Sequence, residues 1–578
     1  MKKFTAIQKT SKFNIINRPF TYLIAIALLF ESCVSGQLGK NNSAEFKNGM
    51  VVSAHPLASK VGLDVLKSGG NAIDAAVAVQ FALAVVYPNA GNIGGGGFLV
   101  YRSSQGEIAS LDFREKAPYA SSRNMYLDSS GNAIIDKSLY GPLAAGVPGS
   151  VDGMVKAHQK YGKLSWAKII QPAIDLARNG YGLTERQAIE LNSNRIDFIK
   201  YNPGKEYYLK SEEWKSGDIV IQKDLANTLT LIRDNGREGF YSGPVSAYIQ
   251  EEMKGGAGLI TAGDLKNYNA VWRKPITGNY KEYKVITMPP PSSGGIALMQ
   301  LLKSVEAYPL KRWGFNSDST VQLIVEAERR VYADRATHLG DPDFYKVPQV
   351  QLVENSYSAS RMKSMNWNRA TLSSEVKAGV IKGKESEETT HFSIVDRQGN
   401  AVSVTTTLNG SYGSKVFVKG AGFLLNNEMD DFSVKPGTPN MYGLVGGEAN
   451  SIAPDKRMLS SMTPTILEKN GDLFMVVGTP GGSTIITSVF QTILNVVEFD
   501  KSMQAAVNAK KFHHQWLPDE VFTEKGALDS LTKFRLEAKG YKINERGPIG
   551  RVDAILKTKW GYYQGGADPR GDDTLLGW

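Results

Sequence analysis

Cysteine and histidine are both scarce in this chain of 578 residues. Cys33 is the only cysteine, so no disulfide can form within the chain and no cluster of thiolates can bind a metal. The six histidines are scattered, apart from the adjacent pair His513 and His514, and none follows the spacing of a zinc-binding HExxH motif. We therefore expect neither a bound metal nor a cofactor.

No apolar run near the N-terminus is long enough to cross a membrane. The run at residues 22–30 has nine residues, whereas a membrane-spanning helix needs about 20. It follows basic residues and precedes small ones, which is the pattern of a secretory signal. We therefore predict a signal peptide over residues 1–32.

Cys33 stands directly after Ser32, where a bacterial lipoprotein carries its acylated cysteine. The sequence predicts lipidation at Cys33 and export, either to the periplasm or as an outer-membrane lipoprotein of a bacterium. Phe30 and Glu31 depart from the usual lipoprotein pattern, so two alternatives stay open: a soluble product cut after Ser35, or an idle thiol. The polar residues 33–49 are predicted as a linker.

Clustered positive charge is also absent. The net charge is +10, but the signal region carries five basic residues against one acidic residue and so supplies +4 of it. No basic stripe with interleaved aromatics appears, which excludes nucleic acid as an expected partner. A hydrophobic fraction of 42% indicates an ordinary globular protein with enough material for a large core.

The first organised segments are a helix and a glycine run. Asn71 is predicted to cap an alanine-rich helix that ends at Pro88, and its nearly all-apolar surface predicts burial between layers. The glycines of residues 91–97 lead from this helix into a strand, the reverse of a phosphate-binding loop, and are expected to allow close backbone approach near the site. A second strand, residues 108–113, ends at Arg114.

The most informative stretch is residues 389–409. Two alternating segments rich in β-branched residues flank the turn formers 396–400, which predicts a β-hairpin. If Val395 faces Ala401 in the antiparallel pair, then Thr389 faces Thr407. Opposed side chains lie roughly 5 Å apart at Cβ, so the hairpin is expected to bring two hydroxyl groups within reach of each other.

Four other motifs accompany the hairpin in order along the chain: residues 111–115, 425–432, 459–465 and 478–483. With the hairpin, they resemble the gamma-glutamyltranspeptidase family of N-terminal nucleophile hydrolases, from about Met50 to the end. The resemblance implies a four-layer αββα sandwich of the α/β class. It also implies that the precursor cuts itself between Glu388 and Thr389 into a large subunit, residues 50–388, and a small catalytic subunit, residues 389–578, which form a heterodimer around one shared core.

The resemblance also implies roles for individual residues. Thr389 would be the nucleophile, its new α-amine the base, and Thr407 would hold the nucleophilic hydroxyl in line. Gly481 and Gly482 would donate backbone N–H groups to the oxyanion. The remaining residues would bind substrate: Arg114, Ser460 and Ser461 the α-carboxylate, Asn409, Glu428 and Asp431 the α-ammonium, and Tyr442 as part of a lid.

The implied reaction transfers the gamma-glutamyl group of glutathione and similar amides to water, amino acids or short peptides through a threonine ester. Taken singly, each site residue also has an ordinary explanation, such as β-propensity, a solvated charge or a tight turn. Two other functions remain open at this point: an acylase of the same fold acting on β-lactam side chains, and a binding lipoprotein without turnover.

Overall fold

The computed structural model describes residues 44–377, 389–435 and 447–578. Cys33, Glu388 and Tyr442 were singled out from the sequence and lie outside the described residues. Within these three ranges, no helix combines the length and apolar character that crossing a bilayer requires.

The strands are β1 Glu45–Phe46, β2 Met50–Ser53, β3 Gly96–Arg102, β4 Ile108–Asp112, β5 Tyr181–Gly182, β6 Ile219–Val220, β7 Val271–Arg273, β8 Ile276–Tyr280, β9 Tyr283–Thr287, β10 Thr390–Val395, β11 Ala401–Thr407, β12 Thr465–Lys469, β13 Asp472–Gly478, β14 Phe512–His513, β15 Val521–Glu524, β16 Ile543–Arg546, β17 Asp553–Lys557, β18 Tyr563–Gly566 and β19 Thr574–Gly577. The helices are α1 Pro56–Lys67, α2 Ala72–Val86, α3 Asp136–Leu139, α4 Ser150–Tyr161, α5 Trp166–Asn179, α6 Glu185–Ser193, α7 Arg195–Tyr201, α8 Lys223–Asn235, α9 Glu238–Tyr241, α10 Gly243–Gly255, α11 Ala262–Asn267, α12 Gly294–Val305, α13 Leu310–Trp313, α14 Asp318–His338, α15 Gln349–Leu352, α16 Asn355–Met362, α17 Ser483–Val497, α18 Met503–Asn508 and α19 Ser530–Ala538.

Two seven-stranded sheets form the centre of the fold. One sheet has the order β19-β2-β10-β11-β3-β4-β7 and the other the order β1-β18-β17-β13-β12-β9-β8. The predicted hairpin, β10 with β11, lies in the middle of the first sheet, between β2 and β3. Residues 33–49 were predicted as a linker, but part of that segment is a strand. Glu45 and Phe46 form β1 and pair with β18.

Alternation along the strands divides the core into two sides. Val51 and Leu99 belong to the cluster formed with helix α2, whereas their neighbours Val52 and Val100 belong to the cluster formed with the second sheet and its helices. Successive strand residues point to opposite faces, so both faces of the first sheet are buried. The layers are therefore helix, sheet, sheet and helix, which confirms the predicted αββα sandwich.

Helix α2 confirms the prediction made from its alanine-rich sequence. Asn71 and Asp74 form a capping box, in which each side chain accepts a hydrogen bond from the other residue's backbone N–H. Every residue of the helix is buried. Each large aliphatic side chain buried in this way contributes roughly 1.5–3 kcal/mol, so the helix fixes the sheet beneath it.

The predicted cleavage point divides one sheet without dividing the core. Strands β10 and β11 follow Thr389 in the chain, yet their partners β2 and β3 precede it. Phe392 and Val404, from the later part, pack in the same apolar cluster as Val51 and Leu99 from the earlier part. Two fragments produced by cleavage at this point would remain together because one supplies four strands and the other three strands of the same sheet.

Candidate active site

The hairpin has the register expected from the sequence. Val395 pairs with Ala401, and Thr390 pairs with Thr406, so the next residue outward, Thr389, lies across from Thr407. Both threonines are buried and both line one small pocket. The pocket, called the Thr389 pocket below, is lined by Arg114, Thr389, Thr407, Asn409, Glu428, Asp431, Ser460, Ser461, Met462 and Ile485.

The hydroxyl of Thr407 is oriented by the backbone that follows it. The Asn409 N–H donates a hydrogen bond of 2.7 Å to Thr407 Oγ1, so one lone pair of the hydroxyl is occupied. Asn409 adopts a positive φ of 71°, and its Nδ2 donates to the carbonyl of Asn427 at 3.0 Å. Asparagine tolerates this left-handed conformation better than most residues, so the turn suits the residue type.

The glycine run lies against the end of this hairpin. A Cβ on Gly95 would lie 2.0 Å from the Thr407 carbonyl oxygen, and one on Gly94 would lie 2.1 Å from the Leu424 carbonyl oxygen. Any larger residue would push the backbone of Thr407 away. This confirms the prediction that these glycines allow close backbone approach.

Arg114 is the central charge of the Thr389 pocket. Its Nη1 lies 2.6 Å from Glu428 Oε2, and its Nη2 makes an ion pair with Asp431 Oδ2. Its Nη2 also donates to the Leu459 carbonyl at 3.2 Å. Burial would lower the pKa of Arg114, but the adjacent charges of Glu428 and Asp431 raise it above its ordinary value. The guanidinium is therefore a permanent positive charge, held between two acidic side chains.

Sequence reasoning missed Glu115, a third carboxylate next to Arg114. Glu115 Oε2 lies 3.6 Å from Arg114 Nη1, and neither carboxylate oxygen has a hydrogen-bond partner among the described residues. Burial and the nearby charge of Asp431 together raise the pKa of Glu115 to about 8, although the charge of Arg114 opposes the shift. Burial also raises the pKa of Glu428 well above its ordinary value. Three carboxylates around one guanidinium cannot all ionise cheaply, so the cluster carries at least one proton at neutral pH. Its position directly after Arg114 was the available sequence signal.

Ser460 and Ser461 are distant from the hairpin in sequence, but a backbone ladder brings them to the pocket. The Ser460 N–H donates to the Pro291 carbonyl at 2.9 Å, and the Ser293 N–H donates back to the Ser460 carbonyl at 2.7 Å. The proline-rich turn before α12 thus holds the two serines in place. The sequence alone did not connect that turn to the site.

Gly481 and Gly482 precede the first turn of α17. Gly481 has φ 128° and Gly482 has φ 54°, conformations that favour glycine. The two glycines are not among the residues that line the Thr389 pocket, but Ile485, in the first turn of α17, does line it. The N-terminal end of the helix, with its partial positive charge, therefore points toward the site.

His513, one of the two adjacent histidines, holds this helix end through hydrogen bonds. Its Nδ1 lies 2.9 Å from Thr487 Oγ1 and its Nε2 lies 3.3 Å from Ser483 Oγ, both on the first turns of α17. Burial lowers the pKa of His513 to about 3, so the ring is neutral and acts through hydrogen bonds. Among the described residues, no group of three or more His, Cys, Asp or Glu is placed to hold a metal ion.

Comparisons with known proteins identify the family of this chain. The model of the gamma-glutamyltranspeptidase family matches residues 58–578. The chain is 46% identical over 531 residues to a glutathione hydrolase proenzyme from Escherichia coli strain K12, and the match covers 92% of this chain and 91% of the relative.

Two solved structures show the same architecture. The cephalosporin acylase from Bacillus halodurans superposes with a TM-score of 0.82 at 26% identity, covering 93% of this chain and 97% of that chain. The gamma-glutamyltranspeptidase from Helicobacter pylori superposes with a TM-score of 0.56 at 47% identity, covering 57% of this chain and 94% of that chain. The match over nearly the whole length, together with the fold, shows that this chain belongs to the gamma-glutamyltranspeptidase family of N-terminal nucleophile hydrolases.

Proposed function

We propose that this chain is the precursor of a threonine-nucleophile enzyme that transfers the gamma-glutamyl group of glutathione and related amides to water, amino acids or short peptides. One observation carries the proposal: Thr389 shares a small buried pocket with a guanidinium and two carboxylates. A gamma-glutamyl group is a zwitterion at the end remote from its scissile amide. Fixed charges of both signs beside a nucleophile match that substrate class.

The first step is self-cleavage at the bond between Glu388 and Thr389. Thr389 Oγ attacks the carbonyl carbon of Glu388, the C–N bond breaks, and the acyl group moves from nitrogen to oxygen. Water then hydrolyses the ester and releases the carboxyl terminus of the large subunit. The relatives named as proenzymes support this step, as does a matched Helicobacter pylori chain that corresponds to only 57% of this one.

Cleavage supplies the base that catalysis needs. A threonine hydroxyl is a weak nucleophile near neutral pH, but the new α-amine has an ordinary pKa of roughly 7.7–8 and is partly unprotonated. The amine takes the proton of Oγ as Oγ attacks the γ-carbonyl, and then returns it to the departing amine. Thr407 holds the attacking hydroxyl, and the N–H groups of Gly481 and Gly482 stabilise the oxyanion. Water or an acceptor amine repeats the sequence on the ester.

Substrate binding uses the buried charges. Arg114, with the hydroxyls of Ser460 and Ser461, binds the α-carboxylate, and Asp431, Glu428 and Asn409 bind the α-ammonium. When substrate enters, its α-ammonium pairs with the two acids and its α-carboxylate pairs with Arg114, so no charge is left unpaired. Tyr442, outside the described residues, is proposed to close over the bound group.

The cellular location is part of the proposal. Residues 1–32 act as an export signal, and Cys33 is the acylated residue of a lipoprotein in the periplasm or on the outer membrane. The support is the sequence pattern alone, because these residues lie outside the described ranges. Mass spectrometry of the exported protein tests it: a diacylglycerol-modified N-terminal Cys33 is expected, and an unmodified N-terminus after Ser35 would contradict it.

An acylase is the second candidate, because the cephalosporin acylase from Bacillus halodurans has the same fold. A glutaryl group differs from a gamma-glutamyl group only in lacking the α-ammonium. A bound glutaryl group would draw Arg114 to its carboxylate but would bring no ammonium. The buried acids Glu428 and Asp431 would then lose part of the positive charge that offsets them. We therefore expect cleavage of L-gamma-glutamyl-p-nitroanilide and little cleavage of glutaryl-p-nitroanilide; the reverse preference would establish the acylase.

Thr389→Ala tests the central claim. The variant is expected to stay at full length on a denaturing gel and to release no p-nitroaniline from the gamma-glutamyl anilide. Thr390→Ala is the matched control: Thr390 is adjacent and also buried, and its Oγ1 has no hydrogen-bond partner among the described residues. It should mature and retain activity. Normal cleavage of the Thr389→Ala precursor would overturn the mechanism.

A further inference from the structure

A side chain from the glycine run holds the end of the hairpin. Asn92 belongs to residues 91–97 and is only 3% exposed. Its Nδ2 donates to the Thr407 carbonyl at 2.8 Å and to Thr406 Oγ1 at 3.1 Å. Thr407 is the last residue of β11. Asn92 therefore holds the backbone at the point where the strand ends and the chain turns toward Asn409.

The orientation of the Asn92 amide is set by its other neighbours. The Gly95 N–H donates to Asn92 Oδ1 at 3.1 Å, and Ser150 Oγ donates to the same oxygen at 2.6 Å. Nδ2 also donates to the Ala90 carbonyl at 2.9 Å. A backbone N–H can only donate and a carbonyl can only accept, so the amide nitrogen and oxygen cannot be exchanged. Nδ2 is therefore the atom that faces Thr407.

Asn92 reaches the proposed reaction centre through one residue. Thr407 accepts from Asn92 at its carbonyl, and its Oγ1 accepts from the Asn409 N–H at 2.7 Å. Thr389 and Thr407 line the Thr389 pocket, whereas Asn92 is not among the lining residues. Because a hydroxyl moves with the backbone that carries it, a shift of the Thr407 carbonyl would displace the Thr407 hydroxyl relative to Thr389.

Gln80 belongs to the same hydrogen-bond network but does not contact Thr407. It lies on α2 and is fully buried. Its Nε2 donates to Thr406 Oγ1 at 3.2 Å and to the Asn92 backbone carbonyl at 2.9 Å. Gln80 thus shares the burial and polarity of Asn92 without bonding to the residue opposite the nucleophile, so it provides a matched comparison.

We propose that Asn92 is a positioning residue for the nucleophilic step, which holds Thr407 by its carbonyl and so keeps the Thr407 hydroxyl aligned with Thr389. This inference rests on the proposed function, in which that hydroxyl holds the nucleophile in line. It gives the asparagine of the glycine run a task separate from that of the glycines. Gly95 leaves room for the Thr407 carbonyl, and Asn92 fixes the carbonyl there.

Kinetics on the mature enzyme test the proposal. With L-gamma-glutamyl-p-nitroanilide as donor, Asn92→Ala is expected to lower kcat at least ~10-fold and to change KM less than ~3-fold, because the charges that bind the donor are untouched. Asn92→Leu keeps the approximate shape but cannot donate, and it should show the same pattern. Gln80→Met is the control, and its kcat should stay within about 3-fold of wild type. Equal losses of kcat in Gln80→Met and Asn92→Ala would overturn the proposal.

A double variant distinguishes positioning from a general structural role. In a Thr407→Val background the hydroxyl is gone, so Asn92→Ala should lower kcat by less than about 3-fold further. A further loss as large as in the wild type would contradict the proposal, because Asn92 would then act on something other than that hydroxyl. An unchanged kcat in Asn92→Ala, with only a lower melting temperature, would contradict it equally.

A variant that stays uncut is compared with the Thr389→Ala precursor, which is expected to be uncut as well. Self-cleavage uses the same hydroxyl of Thr389, so an uncut Asn92→Ala or Asn92→Leu precursor that melts within about 5 °C of Thr389→Ala supports positioning. A larger fall in melting temperature in both variants would overturn the proposal, because Asn92 would then be needed for folding. A wild-type enzyme inactive on the gamma-glutamyl anilide would instead refute the proposed function.

Discussion

The guanidinium of Arg114 lies 2.6 Å from the carboxylate of Glu428, and both side chains are almost fully excluded from solvent. Asp431 pairs with the other end of the same guanidinium. A buried ion pair of this kind contributes little net stability, but removing one partner costs roughly 3–5 kcal/mol because a charge is left unpaired. In the proposed function, these charges satisfy one another until a zwitterionic substrate enters.

Arg114→Lys should weaken donor binding strongly. An ammonium is a compact point charge and cannot make the bidentate contact that a guanidinium makes with a carboxylate. It also cannot pair with Glu428 and Asp431 at the same time. We expect KM for L-gamma-glutamyl-p-nitroanilide to rise about 100-fold, which corresponds to roughly 2.7 kcal/mol. Steady-state kinetics on the mature variant measure this. A KM within about 3-fold of wild type would show that Arg114 does not contact the donor.

Thr407 can be tested with a pair of substitutions. Thr407→Val keeps the shape but removes the oxygen that accepts from the Asn409 N–H at 2.7 Å and that faces Thr389 across the hairpin. We expect kcat to fall about 10- to 100-fold, because the nucleophile loses its alignment. Thr407→Ser restores the hydroxyl and should retain most of the activity. Equal losses in both variants would point to packing of the methyl group instead.

Gly481→Ala should slow the chemical step. A Cβ at this position would lie 2.6 Å from Thr484 Oγ1, and the φ of 128° is unfavourable for alanine, so the turn before α17 must shift. If the N–H groups of Gly481 and Gly482 stabilise the oxyanion, this shift lowers kcat about 10²- to 10³-fold with little change in KM.

The control for that substitution is Gly561→Ala. Gly561 also has a positive φ, of 83°, but a Cβ added there would meet no atom within 4 Å. Its substitution carries the same kind of backbone strain far from the site. Comparable kcat values for the two variants, at equal extents of maturation, would remove the oxyanion role from Gly481.

Glu115 should make stability depend on pH. Its folded pKa of about 8 lies above the ordinary value of 4.5, so its contribution to stability is complete at low pH and is lost as pH rises through about 8. The melting temperature of the wild type should therefore fall between about pH 5 and pH 8.5 relative to that of Glu115→Gln, which cannot ionise. Parallel pH profiles for the two proteins would mean that Glu115 titrates normally.

Local sequence determined several elements of this protein. The β-branched segments form the two strands, and the turn formers at residues 396–400 set the hairpin register, because the turn type and loop length of a hairpin fix which residues pair. Asn71 and Asp74 set the start of α2 through a capping box. Both features depend on residues within a few positions of one another, so they can be predicted without knowing the rest of the fold.

The charged site was only partly predictable. The separate motifs pointed to Arg114, Glu428 and Asp431 through family resemblance, but not to the ion pairs that join them. Arg114 and Asp431 are 317 positions apart, and no local pattern encodes a contact of that range. Glu115 was missed for a different reason: it is adjacent to Arg114, but a carboxylate that will be buried looks in sequence like an ordinary surface residue.

The sequence by itself thus determined the hairpin that places Thr389 opposite Thr407, since hydrogen bonding and side-chain alternation act between near neighbours. Tertiary structure alone decided which charges surround that pair. Burial removes the water that would otherwise screen them, and only there do Arg114, Glu428 and Asp431 form the charge cluster that we propose selects a zwitterion.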